Sequence, residues 1–101
     1  MTSKPKPATR LGDRDIHHDC QTPYRNEASE DVFVNKIGWS RFSDRNTPHK
    51  FGPKCKSTHA QPIAIGSRTV FINKLGAGRI TDRVAACTAV AQGSDDVYAG
   101  D

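Results

Sequence analysis

Apolar residues in this chain come in short runs, and the runs recur. "VFVN" from Val32 and "VFIN" from Val70 each meet a Lys-x-Gly turn and then a second short run, "WSRF" or "AGRI". Two to four β-branched or aromatic residues, broken by Asn, Lys and Gly, form the pattern of a tight hairpin. Gly38 and Gly76 are the expected turn residues, supplying with the Asn the positive φ that closes a short loop. No stretch carries helical periodicity; "RVAACTAVAQG" is Ala-rich but short and contains β-branched residues. The pattern predicts an all-β fold of short hairpins.

The two hairpin patterns belong to a longer repeat. Ser29 to His49 aligns without a gap on Ser67 to Cys87, with nine identical positions over 21 residues. A third copy is split between the chain ends. "GSDDVYAG", Gly93 to Gly100, repeats the strand entrance, while "TRLGDRDIHH", Thr9 to His18, repeats the exit, with Arg10 and Asp13 in the places of Arg41 and Asp44. Pairing the final "DVYAG" with the opening "ATRLG" completes a third unit and predicts a pseudo-threefold array over residues 9–101. Residues 1–8, short, Pro-rich and charged, are expected to be a loosely tied terminus.

Composition sharpens this picture in one respect. With 35% hydrophobic residues, 7% aromatics and a mean hydropathy of -0.68, the 101-residue chain can bury only a modest core and calls for an additional staple. The net charge of +4 is spread from Lys4 to Arg83 without a dense run, which fits a solvated basic surface. No stretch approaches the ~20 apolar residues of a membrane span, and the first twenty residues lack the apolar core of a secretory signal. The expectation is a soluble protein made in the cytoplasm.

Candidate chemistry follows the repeat. His18, His49 and Cys87 each lie five residues after Asp13, Asp44 and Asp82. Equivalent residues of a threefold array converge on its axis, and three such side chains are most of a tetrahedral zinc site. His59, in "STHAQPI", is the best fourth ligand, because the connection from His49 must return past the axis. His17 competes with His18 for the same role. Cys20 and Cys55 fall outside the phase and are expected to be small buried residues, Cys55 being a reserve ligand four residues from His59. The odd cysteine count and the missing signal argue against a disulfide framework. A filled set of three His and one Cys implies a structural metal, since no open position remains to activate water.

These phrases resemble a known family. "ATRLGD", "GSRTVFINKLGAGRITD" and "GSDDVYAG", with a His after the first Asp and "HAQPI" between units, look like the PAAR-repeat proteins that tip contractile injection machines. The naming element is degraded here to Pro7-Ala8-Thr9-Arg10, Gly38-Trp39-Ser40-Arg41 and Gly76-Ala77-Gly78-Arg79, in which only the Arg is kept throughout. The resemblance implies a small β cone whose base caps a trimeric β-helical spike, one chain per trimer. Its apex would be held by a structural Zn2+, or iron in its place, on His18, His49, His59 and Cys87. It implies a non-enzymatic part that helps pierce a target cell envelope, carried on the virion at the tip of a phage baseplate spike or on a type VI secretion spike, with no nucleic acid or small-molecule substrate.

On that reading Val32, Phe33, Val34, Val70, Phe71, Ile72, Val97 and Tyr98 build the core and the spike-facing base. The linking segments, Cys20 to Ala28 and Lys50 to Pro62, read as loops. Asp15, Asp19, Glu27 and Glu30 read as solvated or salt-paired. A small zinc-containing nucleic-acid-binding protein is the alternative, favoured by the charge but lacking a recognition helix or a basic stripe with aromatics. A zinc deaminase or hydrolase would need H-x-E or P-C-x-x-C, and neither occurs.

Overall fold

The computed structural model describes residues 4–101. Its strands are two or three residues long and form four antiparallel pairs among the described residues. β1 (Lys6–Pro7) pairs with β8 (Tyr98–Ala99), β2 (Phe33–Val34) with β3 (Ile37–Gly38), β4 (His49–Phe51) with β5 (Ser57–His59), and β6 (Phe71–Ile72) with β7 (Leu75–Gly76). A 3-10 turn, Pro53–Cys55, interrupts the β structure. The fold is all-β, as the apolar runs predict.

The hairpins close differently from expectation. Asn35 and Lys36 (φ 53° and 68°) and Asn73 and Lys74 (φ 55° and 70°) take the left-handed conformation of a two-residue hairpin turn. Gly38 and Gly76 instead sit where the returning strand crosses the entrance to its own unit. A Cβ on Gly38 would lie 2.5 Å from the Ser29 carbonyl oxygen, and one on Gly76 would lie 2.6 Å from that of Ser67. These glycines answer to a close backbone approach, and the turn itself is made by Asn and Lys.

The third hairpin is made of the two chain ends, Lys6 opposite Ala99 and Pro7 opposite Tyr98. Ala8 is fully buried, and its N–H donates to the Val97 carbonyl at 2.9 Å. The expected loose segment is therefore corrected for Lys6 to Ala8, which are tied because the third unit needs a return strand. Residues 1–3 lie outside the described residues. The segment from Lys50 to Pro62, expected to be a loop, contains most of the β4–β5 hairpin and its 3-10 turn.

The units meet in a closed ring of backbone hydrogen bonds. The Thr9 N–H donates to the Gly78 carbonyl at 3.1 Å, Gly78 to Ser40 at 2.9 Å, and Ser40 back to Thr9 at 3.0 Å. Bridges between Ala8 and Arg79, Arg10 and Trp39, and Arg41 and Ala77 run round the same ring. There is no room for large side chains at its centre: a Cβ on Gly78 would be 2.5 Å from the Ser40 carbonyl oxygen. Beside the ring, the equivalent positions are Ala8, Trp39 and Ala77, so that one large side chain fills the space two small ones leave. Trp39 donates its Nε1–H to the Gly78 carbonyl at 3.0 Å and packs in a buried cluster with Val34, Ile72 and Ala99.

Two polar devices recur in every unit. Ser29, Ser67 and Ser94 accept backbone N–H bonds on Oγ from the second and third residues after them, fixing the entrance to each hairpin. Arg10, Arg41 and Arg79 each grip the Asp three residues on, Asp13, Asp44 and Asp82, through both carboxylate oxygens. The remaining guanidinium nitrogen reaches across to another hairpin, to Asn35 from Arg10 and to Asn73 from Arg41, while Arg79 donates to the Gly100 carbonyl. Gly100 stands in the third unit where the others have Asn35 and Asn73; it has no side-chain oxygen, so its backbone carbonyl takes the bond.

The residues expected to form core and base separate by strand alternation. Val34 and Ile72 are buried, and Val32, Val70 and Val97 pack against the same cluster. Phe33, Phe71 and Tyr98 point outward and are 57%, 58% and 52% exposed. Gly38→Ala tests the close approach: it should destabilise the fold by about 1–3 kcal/mol and lower Tm by at least ~5 °C in a thermal melt. An unchanged Tm would show that the crossing has slack.

Candidate metal centre

Each of the three phased ligands stands at the end of the same local path. After the Arg–Asp grip the chain makes one buried residue two positions on, Asp15, Asn46 or Val84, and then turns to His18, His49 or Cys87. The fourth ligand, His59, closes the β4–β5 hairpin directly opposite His49 in the register. Pairing the two histidines across a two-stranded ladder fixes their separation before any metal is present.

Four ligand atoms converge. His59 Nε2 is 2.9 Å from His49 Nε2 and 3.2 Å from His18 Nδ1, and the latter two are 3.1 Å apart. Cys87 Sγ lies 3.1 Å from His18 Nδ1 and 3.3 Å from His49 Nε2, and all four atoms fall within 4.8 Å of one another. Nitrogen ligands on a tetrahedral zinc with bonds of about 2.0–2.1 Å stand about 3.3 Å apart, so the cluster is close to that size.

The protonation pattern suits a cation. His49 Nδ1 is 2.8 Å from the Thr47 carbonyl oxygen; it must carry the proton in that bond, leaving the Nε2 lone pair aimed at the cluster. Burial, then the neighbouring His49 and His18, pushes the His59 imidazole below its ordinary value, in the direction that favours the neutral form. Burial pushes the Cys87 thiol up, against a hydrogen bond from Asn46. A cation among these four atoms would be met by their lone pairs, and a divalent ion would also bring the thiol to thiolate. The residues present fit such an ion.

Beneath the ligands lies a buried polar layer. Asn46 Nδ2 donates to Asp15 Oδ2 at 3.0 Å and approaches Cys87 Sγ at 3.8 Å, while Asn46 Oδ1 accepts the Gln61 N–H at 2.8 Å. Arg25, 1% exposed, donates to Asp15 Oδ2 at 2.8 Å and to the Asp44 carbonyl at 3.2 Å. Burial pushes the Asp15 carboxyl up, and Arg25 and Asn46 pull it back. The layer was within reach of sequence reasoning, because Asp15, Asn46 and Val84 share the repeat phase two residues after each gripping Asp. Arg25 has no such marker. Above the ligands, Phe51 stacks on His59 with ring centroids 3.8 Å apart and on His18 at 5.6 Å, covering the cluster on that side.

His17 stands outside the cluster, with Nδ1 3.0 Å from Thr22 Oγ1 and Nε2 3.2 Å from the Asp19 carbonyl oxygen. Two cysteine expectations are corrected. Cys20 and Cys55 form a disulfide, despite the odd count that argued against one, and neither is buried: Cys20 is half-buried and Cys55 exposed. Folding lays the loop after His18 against the β4–β5 hairpin, an adjacency that the spacing of the three cysteines does not encode. Cys87 alone remains free.

No family model matches the chain, and a search of curated proteins finds no match either.

Asn46→Ala should weaken metal binding about 10- to 100-fold through loss of the support beneath Cys87, measured by competition with a chromophoric chelator. Unchanged affinity would reduce Asn46 to a core residue.

Proposed function

We propose that this chain is a zinc-stapled, PAAR-like tip that caps the distal end of a trimeric β-helical spike in a contractile phage tail or type VI secretion system and helps it pierce the target cell envelope. The observation that carries the reading is the set Phe33, Phe71 and Tyr98: three aromatic side chains, each more than half exposed, at the same place in three equivalent hairpins. A single chain that offers one apolar residue three times matches a partner that presents three equal copies of a surface. Large exposed aromatics that recur with a threefold register are costly to leave in water without such a partner.

The candidate metal centre completes the argument. Along each unit the hairpin precedes the ring and the ligand follows it, so the donors gather where the three exits meet. Three histidines and one cysteine fill a tetrahedral zinc, with iron as a possible substitute, and leave no position for substrate. The role is accordingly structural and non-enzymatic, and the ion would supply folding energy to a chain with a small core. Such a tip would be carried on the virion or secreted with its spike.

The test mixes the full chain with a trimeric spike fragment and determines mass and metal content. One chain and one zinc per three spike chains is the expected result. A triple variant, Phe33→Ser, Phe71→Ser and Tyr98→Ser, should keep its metal and lose at least ~100-fold in spike affinity. No complex with the unaltered chain, or full affinity in the triple variant, would sink the proposal.

A further inference from the structure

The Cys20–Cys55 disulfide does not lie at random with respect to the ligands. Cys20 is two residues beyond His18, and Cys55 ends the 3-10 turn between β4, which begins at His49, and β5, which ends at His59. The bond spans 35 residues of sequence and joins the segment that carries one histidine to the hairpin that carries two. Apart from the ligand cluster and the stacking of Phe51 on His18, these segments are tied by solvent-exposed hydrogen bonds: the Gly52 N–H donates to Asp19 Oδ2 at 2.9 Å and the Lys50 N–H to Gln21 Oε1. Exposed hydrogen bonds of this kind open and close readily.

We infer that Cys20 and Cys55 are a redox clasp over the metal centre: the reduced chain loads and exchanges metal, and oxidation traps the ion. The inference rests on the metal-centre part of the proposed function and is independent of the spike. For an ion to leave, His18 must swing away from His49 and His59, or the hairpin must swing away from His18. The disulfide restrains both movements: His49 lies inside the loop it closes, His18 and His59 stand two and four residues outside that loop, and Cys87 is remote from it. In closing, the two thiols lose two protons and two electrons to a low-molecular-weight disulfide such as oxidised glutathione, which leaves as two thiols. Thiols stay reduced in the cytoplasm and pair outside it, so trapping would follow export or release from the cell that made the protein.

The full chain loaded with Zn2+ tests this. Release to an excess of chromophoric chelator is followed for the oxidised protein, the phosphine-reduced protein and the double variant Cys20→Ser, Cys55→Ser. Oxidised protein should release zinc at least about tenfold more slowly than the other two. Hydrogen exchange on the reduced wild-type chain should show opening confined to residues 17–22 and 49–59, a readout that does not depend on the variant folding. Equal release rates with one zinc per chain would overturn the clasp and leave the metal centre standing. A chain that holds no zinc in any state would overturn both.

Discussion

Three backbone segments meet at Thr9, Ser40 and Gly78 in a ring of hydrogen bonds, and the rest of the molecule is arranged by that meeting. Each bond in the ring adds only about 1 kcal/mol net, yet a buried peptide group left without a partner would cost more than that. The ring therefore closes completely or the fold does not form. Closure requires the segments 6–8 and 97–99 to lie side by side, since Ala8 and Val97 belong to the same unit. It also requires small residues where the backbones approach, which is why Gly38, Gly76 and Gly78 have no space for a Cβ.

From the ring the structure builds outward in layers with different chemistry. The hairpins put Val34, Ile72 and Ala99 inside and Phe33, Phe71 and Tyr98 outside. Past the Arg–Asp grips, the next equivalent positions are Asp15, Asn46 and Val84, and two of those three are polar. A buried carboxylate is tolerated there because Arg25 enters fully buried beside it and Asn46 Nδ2 donates a second hydrogen bond to the same oxygen. That layer then supports the ligands, so the polar groups that cost stability also orient the candidate metal centre. A second apolar cluster, Ile63, Val84 and Val90, packs against Cys87 and excludes water from its side of the cluster.

Repetition made much of this readable. The hairpins, the split third unit, the recurring Ser and Arg–Asp devices and the ligands His18, His49 and Cys87 all share one phase, and phase survives in a sequence whatever the chain does in space. Features outside the phase were read less well. The disulfide joins Cys20 and Cys55, neither of which has an equivalent in the other units. Arg25 and the β4–β5 hairpin lie in linking segments whose composition is that of loops. Gly38 suggests a turn because glycine is the common turn residue, whereas in this chain Asn35 and Lys36 take the turn.

The repeat hairpins, the all-β character and the phase of the candidate ligands His18, His49 and Cys87 were determined by the sequence, because each depends on local preference or on spacing along the chain. Which backbones come within 3 Å of one another, which cysteines pair and which side of each hairpin faces water were decided by the tertiary structure. Those are distances between residues remote in sequence, and only ring closure sets them.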